Sequence, residues 1–496
     1  MSEQSALLTD THRVAVVGGG ISGLTAAHRL RSLLGPDAVI TVLEQRDRLG
    51  GVLRTVDLAG APFDVGAEAF LARRPEVPAL LAELGLADSL VAPTAARATV
   101  RAAGRTRPLP GGTLLGVPTS AARLDDLLSP AGLTEVAAEP GRPLRWTPGA
   151  DVALGPLLRD RFGDEPVDRL ADPLLGGVYA GRVDALGLRA TIPALAAALD
   201  AGAPSLTAAA DAATPAPGRS AGPGAAGPAN AAVAGGPVFG AVRGGYRVLL
   251  DALAAAGGAE VRLRTTVRAL ERRDRGWRLV LGPTTAPETL DVDAVVLAVP
   301  APAAARLLAP HAPAAARAAG EVELASSVVV SLAFDTPADL PTSGVLVAAG
   351  EPLAVKGVTH SSTKWAALGA DGLVRLRASL GRAGEAGALQ ADDAELVRRV
   401  RADLAVLDGL TAEPVAVHVQ RWGGGLPQYG VGHPGRVAAV EGGLPAGIAV
   451  AGSALHGVGV PACVATARAA AESVVTGLAG HADGSMGPWP ASTTPR

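Results

Sequence analysis

Residues 13–23, Arg-Val-Ala-Val-Val-Gly-Gly-Gly-Ile-Ser-Gly, constrain this chain more than any other stretch. Arg13 to Val17 is a short β-branched run, Gly18 to Gly23 fits G-x-G-x-x-G, and Leu24 to Leu34 carries a helical spacing of apolar residues. Val39 to Leu43 then reads as a second buried strand, ending at Glu44. The expected unit is strand–turn–helix–strand, with its two strands as parallel neighbours. Each glycine has its own task. Gly18 allows the sharp turn, Gly20 lets a pyrophosphate come close where a Cβ would stand, and Gly23 permits tight helix–strand packing. Gly19, Ile21 and Ser22 complete the loop, and the helix N-terminus faces the anion. Glu44 is placed to accept hydrogen bonds from a ribose diol and would repel a 2′-phosphate, so the ligand expected is a dinucleotide other than NADP.

Composition narrows the class further. Glycine (63) and proline (39) make up about a fifth of the 496 residues, but no Gly-X-Y period runs through them and 48% of the chain is hydrophobic, which excludes collagen and global disorder. The formal charge of −3 provides no basic field, so nucleic acid is not an expected partner. A single cysteine, Cys463, forbids an intramolecular disulfide and supplies no metal cluster; no metal site is expected, and a reducing, cytoplasmic setting is. Residues 1–12 lack the basic start and apolar run of a signal peptide. The charge-free runs 220–242 and 442–467 are broken by Gly and Pro, so no transmembrane segment is expected. Lysine occurs only at Lys356 and Lys364 in an arginine-rich chain, which reads as GC-rich coding.

Further along, 74–145 is Leu, Ala and Pro rich, and helices are expected over 154–162 and 164–175, together a helical lobe. Residues 201–236 are almost all Ala, Gly, Pro and Ser, too poor in large apolar groups to offset their ordering entropy, and read as a mobile insertion. A helix over 246–256, strands over 261–267, 277–281 and 294–299, β segments at 328–334 and 345–347, and an amphipathic helix over 391–408 follow. A last strand over 448–451 and a helix over 460–478 opened by Pro461 complete the ordered part.

A second glycine motif, Glu44-Gln45-Arg46-Asp47-Arg48-Leu49-Gly50-Gly51, lets the chain pass close to a ligand seated on the first, with Arg46 and Arg48 offering charge near the pyrophosphate. It resembles the extension of FAD enzymes of the amine-oxidase and desaturase type. Resemblance then spreads in order through Phe63-Asp64-Val65-Gly66-Ala67-Glu68-Ala69, Leu174 to Gly181, Gly236 to Phe239, Ser361 to Trp365, Arg421-Trp422, Leu426 to His433 and Gly457 to Pro461. The series is similar to the oxygen-dependent protoporphyrinogen and coproporphyrinogen oxidases, over about residues 13–475.

That resemblance implies an α/β, two-lobed flavoprotein: a Rossmann-like FAD domain built from 1–73, 237–300 and 441–480, and an interleaved substrate domain of mixed sheet and helices, helical and substrate-binding over 74–200 and sheet-bearing over 301–440. The insertion 201–236 and a disordered tail, 481–496, lie outside both. It implies non-covalent FAD held by Gly18, Gly19, Gly20, Ile21, Ser22, Gly23, Glu44, Gln45, Arg46, Gly51, Val52, Gly66, Ala67, Glu68, Ala69, Val267, Trp422, Val458, Gly459 and Val460, with Gly177, Tyr179 and Arg182 toward the substrate. Cys463 falls inside the last helix, away from the place of covalent flavin attachment, and reads as a packed thiol. His433 and His456 sit beside glycines in loops, and no side chain stands out as a catalytic acid or base. Gly187, Arg182 and Glu68 depart from or vary against the family pattern. The implied reaction is oxidation of a porphyrinogen, coproporphyrinogen III first and protoporphyrinogen IX second, with O₂ reoxidising the flavin to give H₂O₂ in haem biosynthesis. Peripheral membrane contact and transfer of the porphyrin to the next haem-pathway enzyme are left open. A flavin amine oxidase, a carotenoid desaturase and a non-enzymatic flavin-binding scaffold are the alternatives.

Overall fold

A computed structural model describes residues 11–214, 237–385 and 387–482. Its centre is a five-stranded, wholly parallel sheet in the order Glu260–Arg262, Val39–Leu43, Arg13–Val17, Ala294–Leu297, Ile448–Val450. The first two strands in the chain pair in parallel as the glycine motif requires, Val14 against Ile40 and Val16 against Val42. Both faces are covered, which is why these strands read as unbroken apolar runs. Val14 and Val16 point to the helices Ile21–Leu34 and Val460–Ala482, while Ala15 and Val17 point to an antiparallel meander of Val267–Arg272, Trp277–Leu281 and Glu288–Val292.

The second lobe rests on a seven-stranded sheet in the order Ala416–Pro427, Leu324–Phe334, Val374–Leu380, Val355–Thr359, Gly344–Val347, Ala98–Ala102, Arg105–Pro108. Only the pairing of Gly344–Val347 with Ala98–Ala102 is parallel. Alternation decides its two faces. Val328, Val330 and Leu332 pack on Leu396, Val400 and Leu404 of helix Asp393–Asp408, whereas Val329, Ala333 and Trp422 meet Leu58 and Phe63 of the hairpin Thr55–Leu58 and Ala61–Asp64, and Val65 just after it. Beside this sheet, Leu154–Phe162, Asp172–Tyr179, Pro193–Asp200 and Leu206–Ala213 build a helical lobe around Phe162, Tyr179 and Tyr429.

Four expectations need correction. The stretch 74–200 is not only helical: it lends two strands, Ala98–Ala102 and Arg105–Pro108, to the large sheet. The strand expected over 261–267 is two strands of different sheets, parted at Arg264, whose φ is +53°. The helix expected over 164–175 is interrupted by a π turn at Val167–Ala171 before Asp172–Tyr179. The expected mobile insertion fails over 201–214. The Ser205 side chain caps helix Leu206–Ala213 by accepting from the Ala208 amide at 3.0 Å, and Leu206, Ala209 and Ala210 are buried. Glu139, itself fully buried, accepts from the Leu206 amide (2.7 Å), the Thr207 amide (3.0 Å) and the Thr207 hydroxyl (2.7 Å), and is paired with Arg161. Alanine is the best helix former, and a carboxylate at a helix N-terminus is favourable, so small residues suffice where a buried anchor awaits them. Residues 215–236 and 483–496 lie outside the described residues.

Candidate functional site

The two glycine motifs meet. Gly18 has φ +108° and donates to the Leu43 carbonyl at 2.8 Å, and a Cβ on it would fall 2.2 Å from the Ala298 oxygen. A Cβ on Gly23 would fall 1.8 Å from the Gly18 oxygen. Those two glycines are consumed by packing. Gly20 is different: its Cβ would meet no protein atom nearer than Gly51 Cα at 3.8 Å, so that direction is kept free of the protein's own atoms. The Gly50 amide donates to the Gly19 carbonyl at 2.8 Å, lacing the second motif to the first. Helix Ile21–Leu34 begins here with neither a side-chain cap nor an acidic residue in its first turn, leaving its N–H groups and positive dipole end available to an anion. These features fit a dinucleotide pyrophosphate.

Glu44 is buried, and its two carboxylate oxygens accept from the Gly19 amide (2.7 Å) and the Arg46 amide (2.8 Å). It therefore fixes the loop, and each oxygen keeps lone-pair capacity for a diol. Gln45 and Arg46 are exposed beside it. Arg264 and Thr265 donate their amides to the carbonyls of Arg46 and Glu44, both at 2.8 Å, which brings Val267 into the same neighbourhood. Arg48 behaves otherwise than expected. Its guanidinium donates to the carbonyls of Leu49, Gly51 and Leu53, so it shapes the second motif instead of offering free charge.

A second cluster forms where the lobes meet. A Cβ on Gly66 would fall 2.1 Å from the Val52 oxygen, and Trp422 Cζ2 stands 3.2 Å from the same point. Trp422 donates its indole N–H to the Val65 carbonyl at 3.0 Å, and Arg377 donates to the carbonyls of Gly66 (2.5 Å) and Asp64 (3.3 Å). Ala67 and Val52 are exposed and Ala69 is half-buried. Glu68 accepts from the Ser361 hydroxyl at 2.7 Å and from Lys364 Nζ at 3.1 Å. Burial pushes this carboxyl up, but Lys364, Arg377 and Ser361 outweigh it and hold the group below its ordinary pKa. The carboxylate thus ties 66–69 to the Ser361 to Trp365 segment. Val458 and Gly459 are half-buried ahead of Val460, where the last helix starts beside Ile21 and Leu24. Cys463 is buried there, its thiol pushed up to about 11 by burial, as expected of a packed and unreactive group.

The three residues expected toward the substrate separate. Gly177 is exposed, and its Cβ would meet Leu346 at 3.6 Å. Tyr179 is buried in the helical core with its ring 5.5 Å from that of Tyr429, and burial raises its hydroxyl pKa. Arg182 is 48% exposed and ion-paired with Glu385 at 3.1 Å. The glycine at 187 has a packing reason, since a Cβ there would fall 2.7 Å from the Gly430 oxygen. His433 stacks on Tyr429 at 3.9 Å, Nε2 3.1 Å from the Leu455 carbonyl oxygen, and the exposed His456 pairs with Glu441. Among the described residues no group of three or more His, Cys, Asp or Glu could hold a metal.

Arg377 and Asp64 escaped sequence reasoning as individuals. Asp64 accepts from the Thr55 hydroxyl (2.5 Å) and the Tyr246 amide (3.1 Å), and burial raises its carboxyl to about 6. The signal for Arg377 was the Arg-x-Arg alternation in Val374–Leu380, which puts Arg375 and Arg377 on one face.

The family model described as flavin-containing amine oxidoreductase matches residues 21–475. The chain is 47% identical over 460 residues to the coproporphyrinogen III oxidase of Mycobacterium leprae, covering 92% of this chain and 97% of that one. It is 37% identical to the coproporphyrinogen III oxidase of Propionibacterium freudenreichii, covering 93% and 90%. Among solved structures, that of a proposed protoporphyrinogen oxidase from Exiguobacterium sp. 255-15 superimposes with a TM-score of 0.79 at 32% identity, covering 94% and 98% of the two chains.

Proposed function

Because the chain belongs to the flavin-containing amine oxidoreductases, and within them to the coproporphyrinogen III oxidases, we propose that it oxidises coproporphyrinogen III to coproporphyrin III in haem biosynthesis. FAD is the cofactor, and when bound it supplies the two-electron acceptor that the side chains lack. The observation that carries the reading is the lacing of Gly20 to the Gly50-Gly51 pair, with the space beside Gly20 left free of the protein's own atoms, in a chain that keeps the segments of this family in order.

Gly18 to Gly23 and Gly51 receive the pyrophosphate, and Glu44, Gln45, Arg46 and Val267 lie at the nucleoside end. Val52, Gly66 to Ala69, Trp422 and Val458 to Val460 enclose the flavin end. Packing of Trp422 on Val65 and Gly66 excludes water from that end, and the Glu68–Lys364 pair holds the segment against the second lobe. Each electron pair and proton pair leaving the macrocycle ends on one O₂ as H₂O₂. Among the described residues no helix is long and apolar enough to cross a membrane.

The test is parallel turnover of coproporphyrinogen III and protoporphyrinogen IX by purified protein, following porphyrin fluorescence and O₂ uptake. The reading expects the former to have the higher kcat/KM. Reversed preference would reassign the substrate, and no turnover of either would remove the oxidase reading.

A further inference from the structure

Strand Val355–Thr359 pairs with Val374–Leu380, but the register slips between Val355 and Gly357, leaving Lys356 as the extra residue. A bulge frees its extra residue from the ladder and re-aims its side chain, and bulges gather beside active sites. Lys356 is only 9% exposed, and no hydrogen bond or ion pair holds its amine among the described residues. The contrast with Lys364 is informative, since that lysine is matched by Glu68. Its stem is buried while the ammonium at its tip keeps access to solvent, and a cation so largely desolvated gains from an anion that meets it there.

Among the described residues no carboxylate is within ion-pair distance of Lys356. Arg382, Glu385 and Arg377 act electrostatically on Lys356, and burial with the two arginines lowers its pKa to about 8, so it stays largely cationic at neutral pH. Glu385 is already engaged by Arg182, and Arg377 is spent on the carbonyls of Gly66 and Asp64. Arg382 donates to the Val347 carbonyl at 3.1 Å and has no carboxylate partner among the described residues. Asp172, close enough to feel Arg382, accepts from the Val183 amide.

The position is suggestive of a ligand. Helix Asp172–Tyr179 packs on Gly344–Val347 and Val355–Thr359, with Gly177 against Leu346, and the adjacent strand carries the Arg377 that grips Gly66. The Lys356–Arg382 corner therefore lies between the helix bearing Gly177 and the 66–69 segment. We propose that Lys356, with Arg382 beside it, receives a carboxylate of the porphyrinogen, an inference that rests on the oxidase reading above.

The experiment titrates the FAD-loaded protein with coproporphyrin III and with its tetramethyl ester, following porphyrin fluorescence, for the parent, Lys356→Met and Lys356→Arg. Lys356→Met should weaken binding of the free acid about tenfold or more, leave the ester unchanged, and raise KM for coproporphyrinogen III with kcat nearly constant. Lys356→Arg should stay close to the parent. Flavin content and Tm report folding, and Lys356→Gln replaces the Met variant if that one fails to fold. Equal affinity of the parent and the neutral variant for the free acid, in a parent that turns over porphyrinogen, overturns the Lys356 inference alone. A parent that neither binds nor oxidises any porphyrin compound overturns the function and this inference together.

Discussion

Gly20 and Gly23 are both glycines of one motif, yet their demands differ and can be separated by mutation. A side chain at 23 collides with the Gly18 carbonyl, whereas one at 20 enters space that the protein itself leaves empty. Gly20→Val should therefore lose at least nine-tenths of its flavin while the apoprotein melts within a few degrees of the parent apoprotein. Gly23→Val should lose flavin and fold together, and Gly111→Val, with open space around it, should lose neither. Bound flavin after acid precipitation offers a second check at this scale. Burial of Cys463 as an unreactive thiol expects all flavin in the supernatant, and flavin in the pellet would contradict it. Asp64 gives a pH signature. Its carboxyl is raised to about 6 by burial, so the folded state holds that proton more tightly than the unfolded chain does. Its contribution is most favourable below the unfolded pKa of about 4 and is lost as pH rises through about 6, a difference of roughly 3 kcal/mol. Asp64→Asn should raise Tm at pH 8 relative to its effect at pH 5; the same shift at both values would show that the carboxyl does not titrate differently on folding.

Among the elements, helix Leu206–Ala213 is held by its N-terminus more than by large side chains. Glu139 collects two backbone amides, one hydroxyl and a guanidinium there, and its pKa falls because those bonds outweigh burial. Glu139→Ala would strand buried Arg161 and uncap the helix, for which a loss of roughly 3–5 kcal/mol is expected. Urea unfolding measures it, and a loss below about 1 kcal/mol, the scale of an ordinary exposed pair, would show that the helix is not anchored there. Deletion of residues 204–214 should be at least as damaging. The composition of this stretch concealed the helix because Ala, Ser and Thr contribute little hydrophobic area, while the partner that orders them lies 67 residues earlier in the chain.

For the molecule as a whole, the lobes meet along Gly66, Trp422 and the Glu68–Lys364 pair, and charge recognition of substrate is expected from the second lobe. Coproporphyrinogen III carries four propionates against two on protoporphyrinogen IX, so its advantage in kcat/KM should shrink as salt rises, because partly exposed charges are screened over about 8 Å at physiological ionic strength. An advantage independent of salt would assign the selectivity to shape. Arg182→Ala should change KM little for either substrate, since that arginine faces solvent and is paired with Glu385. A selective rise in KM for the tetracarboxylate would restore Arg182 to the site.

The sequence alone determined the parallel β–α–β start, the glycine crossing, the return of the chain to its first sheet at 294–297 and 448–450, and the membership of the family. These features depend on local rules: hydrophobic period, a missing Cβ, and residues whose order can be read directly. Tertiary structure decided what each polar group faces. Glu44 and Glu68 are alike on paper, but one is occupied by a backbone amide from each of the two glycine motifs and the other by a lysine 296 residues away. Tyr179 lies in a core and Arg182 at the surface though they are three positions apart, because the chain leaves the helix at Ala180 in the left-handed region and turns Arg182 outward. Lys356 looked like one of two rare lysines, and only a slipped register gave it a largely buried side chain with no ion-pair partner among the described residues. Local spacing predicts where a strand runs; the energy of a buried charge depends on partners that folding brings from elsewhere in the chain.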